Sequence, residues 1–485
     1  MFSDPYLQAF ESIVRQLGIA AYLCGGTVRD LLVGRPFRDV DVVLSDRVFD
    51  AAELFHSKLN APYFILDEER KVARVVCQNG NWDFTGFRNH TIEGDLRKRD
   101  FTINALAVRW DDFYPGRKTQ PVIDPFGGLQ DLKNRLIRPV SAESMQEDPL
   151  RLLRAYRIAA ELGFDIDSTV LADVGKLHAA IQNVAAERVV EELDRVLTLP
   201  NSADTWRALA STELFDSLFP EMMPVKGCDQ GGYHHLDVWS HSVLALENLE
   251  RFLPDIPRSF PEYGARLQEY LASTAQTLDR VCLLKWAALL HDIGKPETRQ
   301  MREDGAGYRF HGHDHAGAAI AERLLKRLKF ARKDAQLISL MIEHHLRPLH
   351  LFNQNEKSND DFRKFFRAVG AEAVGVLLIS YADMNAARGP LAKPERDVQF
   401  LELMRKMFAF YFEEYYPAVN TPELIKGRDV MAVLQMPPGP LIGELLKEVR
   451  EAQLDGRLHN RDEALDFARN WMKSNRQDAR TPKTG

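Results

Sequence analysis

An α+β fold is predicted, with a small mixed sheet and its helices at the N-terminal end and an all-helical remainder. Three observations carry this expectation. Residues 1 to about 140 alternate short β-like runs with helical ones. From about Asp148 onward strand signals almost vanish, and apolar residues recur at helical spacing. Finally, 485 residues with 45% hydrophobic and 27% charged residues exceed one ordinary domain, so three or four are expected.

In chain order, "SDPYLQAFESIVRQLG" reads as a helix, and "AAYLCGG", "DVDVVLS", "KVARVVC" and "NWDFTGF" read as strands. Further along, "DPLRLLRAYRIAAELGF", "AAERVVEELDRVL" and "DHAGAAIAERLLKRLKF" read as amphipathic helices. The breaks "SAESMQEDP", "PEMMPVKGCDQGG" and "ARGPLAKPE" are rich in glycine, proline or polar residues. They divide the chain into a head (1–141), a helical neck (142–225), a helical domain (226–392), a helical tail (393–475) and a polar, disordered end (476–485).

The opening residues carry acids and no long apolar run, and no eighteen-residue window is free of charge. Neither a signal peptide nor a membrane span is therefore expected, and the protein is placed in the cytoplasm. Cys24, Cys77, Cys228 and Cys282 form no CxxC pair, which fits a reducing compartment and packing roles. The net charge of −7 gives no global attraction to nucleic acid, so RNA binding must come from local basic faces.

The most informative stretch is "CGGTVRDLLVGRPFRDVDVVL". In a strand Asp39, Asp41 and Val43 share one face, so two carboxylates stand side by side and repel unless a cation lies between them. Hard oxygen ligands at that spacing suit magnesium carrying substrate phosphates. Gly25 and Gly26 let backbone amides approach a polyphosphate, and Arg29 on the next helical turn adds a forked cation. The alternative is a strand, a glycine turn and a helix whose aspartates face solvent at a sheet edge.

Taken in order, "GGTVRDLLVG", "RDVDVV", "RKRDFTINALA", "DPFGGLQDL", "EDPLRLLRAYRIAAELGF" and "AERVVEEL" closely resemble the signature motifs of class II tRNA nucleotidyltransferases and bacterial poly(A) polymerases. The resemblance implies a polymerase-β-like head and template-independent transfer of CMP or AMP from CTP or ATP to the 3′ end of tRNA. Asp39 and Asp41 would hold Mg2+. Asp83 either supports the metals or is structural, and Arg99 and Asp100 would contact ribose and phosphates. Asn104 lies in the same motif; it either belongs to the nucleotide site or caps a helix beginning at "INALAV".

On the neck, Asp148 with Pro149 is also a plain helix start. Arg151, Arg154 and Arg157 follow at spacings of three, within about a third of the helix surface. The resemblance assigns Asp148 and Arg151 to the Watson–Crick edge of the incoming base, where C and A both offer an amine beside a ring nitrogen, and it gives Arg154 and Arg157 to the triphosphate.

A second constellation comprises His241, His291 and Asp292 in "HDIGK", His313, the pair His344 and His345, and Asp383. Imidazoles and carboxylates on separate helices suit a divalent metal of a hydrolytic site. "HDIGK" after an apolar helix resembles the metal-dependent HD phosphohydrolases. His241, His291, Asp292 and Asp383 are the expected ligands, with His313 and one of His344 or His345 as further ligands or phosphate contacts. The alternative is an inert helical domain that helps hold tRNA.

Two other readings remain at this stage, a poly(A) polymerase or A-adding enzyme, and an HD phosphohydrolase with a nucleotide-sensing head. One departure from the family bears on the first. Between "DFTGFR" and "RKRDF" lies only "NHTIEGDL", so the long loop of CCA-adding members is missing. The family links that shortening to enzymes that add CC and stop.

Overall fold

The computed structural model describes residues 4–36, 39–78, 80–113, 121–231, 236–303, 305, 307–387, 395–454 and 456–478, with side chains to 473. It divides into two compact units, residues 1–223 with 327–330 and residues 224–326 with 331–485.

In the first unit, helix α1 (Pro5–Leu17) is capped by the Asp4 carboxylate, starts on a proline and ends at Gly18 in the left-handed region. Strand β1 (Ala21–Cys24) leads into α2 (Gly26–Leu32), then β2 (Val40–Leu44), α3 (Val48–Leu59), β3 (Tyr63–Asp67), β4 (Val72–Cys77) and β5 (Gly80–Gly86). The short helix α4 (Ile92–Leu96), β6 (Ala107–Arg109) and β7 (Val122–Ile123) complete the framework. Strand order is β3-β4-β5-β2-β1-β6-β7, which makes β2 central. Its pairing with β5 is parallel, and the others in this sheet are antiparallel.

Alternation decides which face does what. Val40, Val42 and Leu44 enter the main apolar core with Trp82, Phe84 and the Phe10 and Phe55 rings of α1 and α3. The opposite face is left to Asp39, Asp41 and Val43. One strand goes unread in the sequence, and one expectation changes. "YFILD" forms an edge strand although its consecutive apolar residues hide the alternation, and "INALAV" starts no helix: Thr102–Asn104 is a 3-10 turn followed by β6.

The neck helices Leu150–Leu162 and Ala186–Leu197 belong to the same compact unit. Five helices carry the chemistry of the second unit or pack beside it: Val238–Phe252, Arg280–Leu290, His313–Arg327, Arg332–His344 and Ala373–Ala386. The stretch Asn359–Ala386 is long and apolar enough to cross a membrane by length and composition, but 72% of its most apolar window is buried inside the protein, as in a core helix. The tail has its own apolar cluster around Val430, Leu445, Ala464 and Ala468. Its last helix runs from Arg461 to Asp478, so 476–478 are helical where disorder was expected, and 479–485 lie outside the described residues.

Two candidate active sites

The parallel register of β2 and β5 sets Asp41 beside Asp83, so three carboxylates gather on one face of two adjacent strands. They are not buried as the valine run suggests. Asp39 is exposed and its carboxylate accepts the Asn81 amide at 3.0 Å, while the Asp41 side chain is 37% exposed. Asp83 takes two hydrogen bonds from Arg74, at 2.7 and 2.8 Å, a partner that strand alternation alone does not reveal. Desolvation raises the Asp41 carboxyl above its ordinary range; Arg99 pulls it back and the Asp83 and Asp39 charges push it up again. A cation among these oxygens would relieve that repulsion.

Gly25 explains how close the neighbouring groups come. It has φ +67°, and a Cβ there would lie 2.3 Å from Arg99 Nη1 and 2.6 Å from Asp41 Oδ2. Only glycine leaves room for a cation, a carboxylate and a tight turn at one point. Gly26 opens α2 beside it. Arg99 lies 4.0 Å from Asp41 and 3.4 Å from Asp95; burial opposes its charge, but the Asp95 and Asp41 carboxylates hold it firmly cationic. Burial pushes the Cys24 thiol up to about 12, so it stays protonated and packs.

Arg29 departs from expectation. Rather than standing ready for a triphosphate it is 6% exposed, and its Nη1 donates to Asn104 Oδ1 at 2.9 Å. Asn104 donates to Asp100 at 3.0 Å, Asp100 accepts two bonds from Arg154, and Arg154 also reaches Glu192 at 2.8 Å. Arg157 joins Glu192 at 2.5 Å and Glu161 at 2.8 Å, and Glu161 lies 4.0 Å from Arg29. A closed ring of polar groups thus ties α2 to both neck helices. Burial works against ionised Asp100, yet the Arg154 charge and bonds from Asn104, Arg154 and the Phe101 amide hold its carboxyl well below the usual range. Arg154 and Arg157 are therefore committed to carboxylates instead of forming an open cationic face. In buried surroundings such a network fixes geometry.

Arg151 donates to the Ser144 carbonyl and hydroxyl and to the Lys98 carbonyl, which uses three of its five N–H groups. Asp148 accepts the Leu150 amide at 3.3 Å, as a helix start should, and pairs with Arg188 at 2.7 Å. Arg188, Glu192 and Glu161 were missed by sequence reasoning. Arg188 and Glu192 stand in "AERVVEEL", but nothing in spacing reveals partners some 40 residues away.

In the second unit the expected ligands converge. His241 Nε2 lies 2.9 Å from Asp383 and 3.4 Å from Asp292. His291 Nε2 lies 3.1 Å from Asp292, and His313 Nε2 3.2 Å from it. His345 Nε2 is 4.0 Å from Asp292, whereas the adjacent His344 stands outside both clusters, so His345 is the member of the pair that joins the site. Two overlapping donor groups result: His241, His291, Asp292 and Asp383, and Asp292, His313 and His345, with ligand atoms within 4.8 Å in each.

Three of these rings share one device. Nδ1 of His291, His313 and His345 points at the carbonyl three residues before it, at 2.8, 2.8 and 2.6 Å. A neutral ring that donates from Nδ1 carries its lone pair on Nε2, and all three Nε2 atoms are buried and lack hydrogen-bond partners. Lone pairs aimed at carboxylate oxygens repel them, and a metal ion between them would turn that repulsion into coordination. Lys295, missed as a site residue although "HDIGK" contains it, reaches Asp292 at 2.6 Å and Gln230 at 2.6 Å.

Residues 21–138 match the "Poly A polymerase head domain", 163–225 the "Probable RNA and SrmB- binding site of polymerase A", 238–383 the "HD domain", and 413–468 the second domain of tRNA nucleotidyltransferases. The A-adding tRNA nucleotidyltransferase of Deinococcus radiodurans is 34% identical over 458 residues, covering 93% of this chain and 96% of that protein. The chain belongs to the tRNA nucleotidyltransferase family.

A second family member, the CC-adding tRNA nucleotidyltransferase of Thermus thermophilus, is 32% identical over 457 residues and covers 93% of both chains. Among solved structures, a CCA-adding enzyme in its apo form superposes with TM-score 0.59 at 20% identity over 95% of this chain and 92% of that one. The Thermotoga maritima CCA-adding enzyme complexed with tRNA gives 0.53 at 20% identity over 97% and 96%. As a family member the chain is a nucleotidyltransferase with an α+β fold.

Proposed function

We propose that this nucleotidyltransferase adds cytidines to the 3′ end of tRNA without a nucleic-acid template and stops after CC. The observation that carries the transfer reaction is the gathering of Asp39, Asp41 and Asp83 beside the Gly25 turn and Arg99. Asp39 and Asp41 would hold magnesium, which supplies charge neutralisation at the reacting phosphate and a lower pKa for the attacking hydroxyl. The RNA 3′ hydroxyl gives its proton to solvent as its oxygen bonds the α-phosphorus, the bond from that phosphorus to the bridging β-phosphate oxygen breaks, and pyrophosphate leaves on the side of Gly25 and Gly26. Arg99 balances its charge.

Base choice falls to Asp148 and Arg151. A carboxylate accepts from the exocyclic amine of C or A, and a guanidinium donates to the ring acceptor beside it. The polar ring through Asn104, Asp100, Arg154, Glu192 and Arg157 keeps that pair at a fixed position relative to the carboxylates. The stop after CC rests on the short connection from Gly86 to Arg97, which is taken up by a 3-10 turn (Arg88–His90) and α4 and offers few residues with which to reshape the pocket for A. A-addition is the second reading, favoured by the Deinococcus relative.

At the second site, the three held imidazoles with Asp292 and Asp383 support a divalent metal, and phosphate-ester hydrolysis is the reaction such a site performs. We place the protein in the cytoplasm, in keeping with four free cysteines.

The test is incubation of pure protein with tRNA trimmed of its last three nucleotides, magnesium and labelled CTP or ATP. Two cytidines and little AMP transfer to tRNA ending in CC are expected. Absence of incorporation would overturn nucleotide transfer, AMP addition to that tRNA at a rate comparable with CMP addition would overturn CC specificity, and long tails from ATP alone on any RNA would mean a poly(A) polymerase.

A further inference from the structure

The chemistry above uses β2, Asp83 of β5 and the turn on the β1 side, and leaves the rest of the sheet beyond Asp83 unexplained. On the other side lie β5, β4 and the edge strand β3. Asp41 pairs with Asp83, Asp83 with Arg74, and Arg74 with Phe64. Directly paired residues share a face, so these four form one row running from the catalytic carboxylates to the sheet edge. In the next row Asn81, which holds Asp39, pairs with Val76.

The side chains of this half-sheet do not behave like packing residues. Phe64 is 53% exposed and Val76 38%, whereas Val75, Trp82 and Val40, which alternate with them, lie in the core. Between the two apolar side chains stands Arg74, whose Nε and Nη2 bind Asp83 and whose remaining three N–H groups lie beyond that pair. An aromatic face and a guanidinium in one row, with an aliphatic contact in the next, beside an acidic reaction centre form a stacking platform with a phosphate contact.

We infer that Phe64 and Val76 seat the single-stranded 3′ end of the acceptor RNA, with Arg74 contacting its backbone. The inference rests on the nucleotidyl-transfer reading. In such a displacement the attacking and leaving oxygens stand roughly in line through phosphorus. Pyrophosphate departs on the Gly25 and Gly26 side of β2, so the hydroxyl arrives from the β5 side, and the chain that bears it extends over β4 and β3. Phe64 lies three strand spacings from Asp41, about 14 Å. That distance sets its ring against a base upstream of the reacting terminus. Stacking is indifferent to base identity, which suits an acceptor whose last residue changes after each addition.

The test is a minihelix RNA carrying 2-aminopurine just upstream of its 3′ terminus. Binding to the full-length protein should quench its fluorescence. Phe64→Ala should abolish the quenching and raise KM for RNA about tenfold while KM for CTP stays unchanged, and Phe64→Tyr should restore both. Wild-type protein that elongates RNA, beside a Phe64→Ala variant with unaltered RNA KM and quenching, overturns the platform and leaves the reaction standing. Failure of wild type to elongate overturns the reaction instead, and the quenching titration still judges the platform. A change of oligomeric state in Phe64→Ala by light scattering would assign this edge to self-association and overturn the inference.

Discussion

Asp100, at the end of the RKRD motif, and Arg154, on the neck helix, face each other in a two-point ion pair, with Oδ2 2.7 Å from Nη2 and 3.0 Å from Nε. Because the Asp100 carboxyl is held below its unfolded value of about 3.9, the pair contributes fully above that value and its contribution is lost as pH falls through the folded one. Asp100→Asn should therefore be less stable than wild type at pH 7, and the gap should narrow below about pH 4. Urea unfolding at both pH values measures it. A gap that widens on acidification would contradict the pairing.

Asp39→Asn and Asp41→Asn should each abolish nucleotide addition without unfolding the protein, since volume is kept while a hard ligand is lost. Primer extension beside circular dichroism checks this. Retained activity in a native-like variant would refute the assignment.

Two glycines provide a controlled comparison. Gly25 and Gly34 both adopt positive φ, +67° and +71°, but a Cβ at Gly34 meets nothing within 4 Å, whereas at Gly25 it strikes Arg99 and Asp41. Both alanine variants should lose about 1–2 kcal/mol of stability to backbone strain. Only Gly25→Ala should also lose most of its activity, measured as kcat/KM for CTP.

Arg188 holds the Asp148 carboxylate at 2.7 Å from the adjacent helix. Arg188→Ala should free that carboxylate to rotate and reduce the preference for CTP over UTP, and Arg188→Lys should not fully restore it, because one ammonium cannot reproduce a fork. Unchanged discrimination in competition assays would remove Arg188 from base selection.

For the second site, Asp292→Ala should remove bound divalent metal, read by elemental analysis, together with any phosphatase activity, and leave CMP addition intact. Asp292 is common to both donor groups, so no other single residue should cost as much metal. Equal loss of both activities in folded protein would argue for one shared site.

What the chain discloses in advance divides along physical lines. Asp39, Asp41 and the HD histidines were legible because metal chemistry restricts residue type, and because a carboxylate within a valine run contradicts burial. His344 and His345 could not be told apart, since neighbours on a helix point about 100° apart and only packing selects one. Arg29, Arg154 and Arg157 were read as phosphate ligands because the sequence displays their charge but not their partners. Asp100 and Glu192 come from a distant turn and helix; Glu161, one helical turn beyond Arg157, is the one partner that spacing offers. Edge strand β3 escaped notice for a related reason. Its outward residues are apolar, and alternation cannot be seen when both faces carry the same kind of side chain.

The closed polar ring also bears on how such proteins can be recombined. A crossover at residue 141 would exchange the sheet with Arg29, Asn104 and Asp100 while leaving behind Arg154, Glu192, Arg157 and Glu161, and it would strand complementary charges in two incompatible halves. The heritable module is accordingly the whole of residues 1–223, and chimeras joined near 223 should inherit base preference intact where those joined at 141 inherit neither parent's.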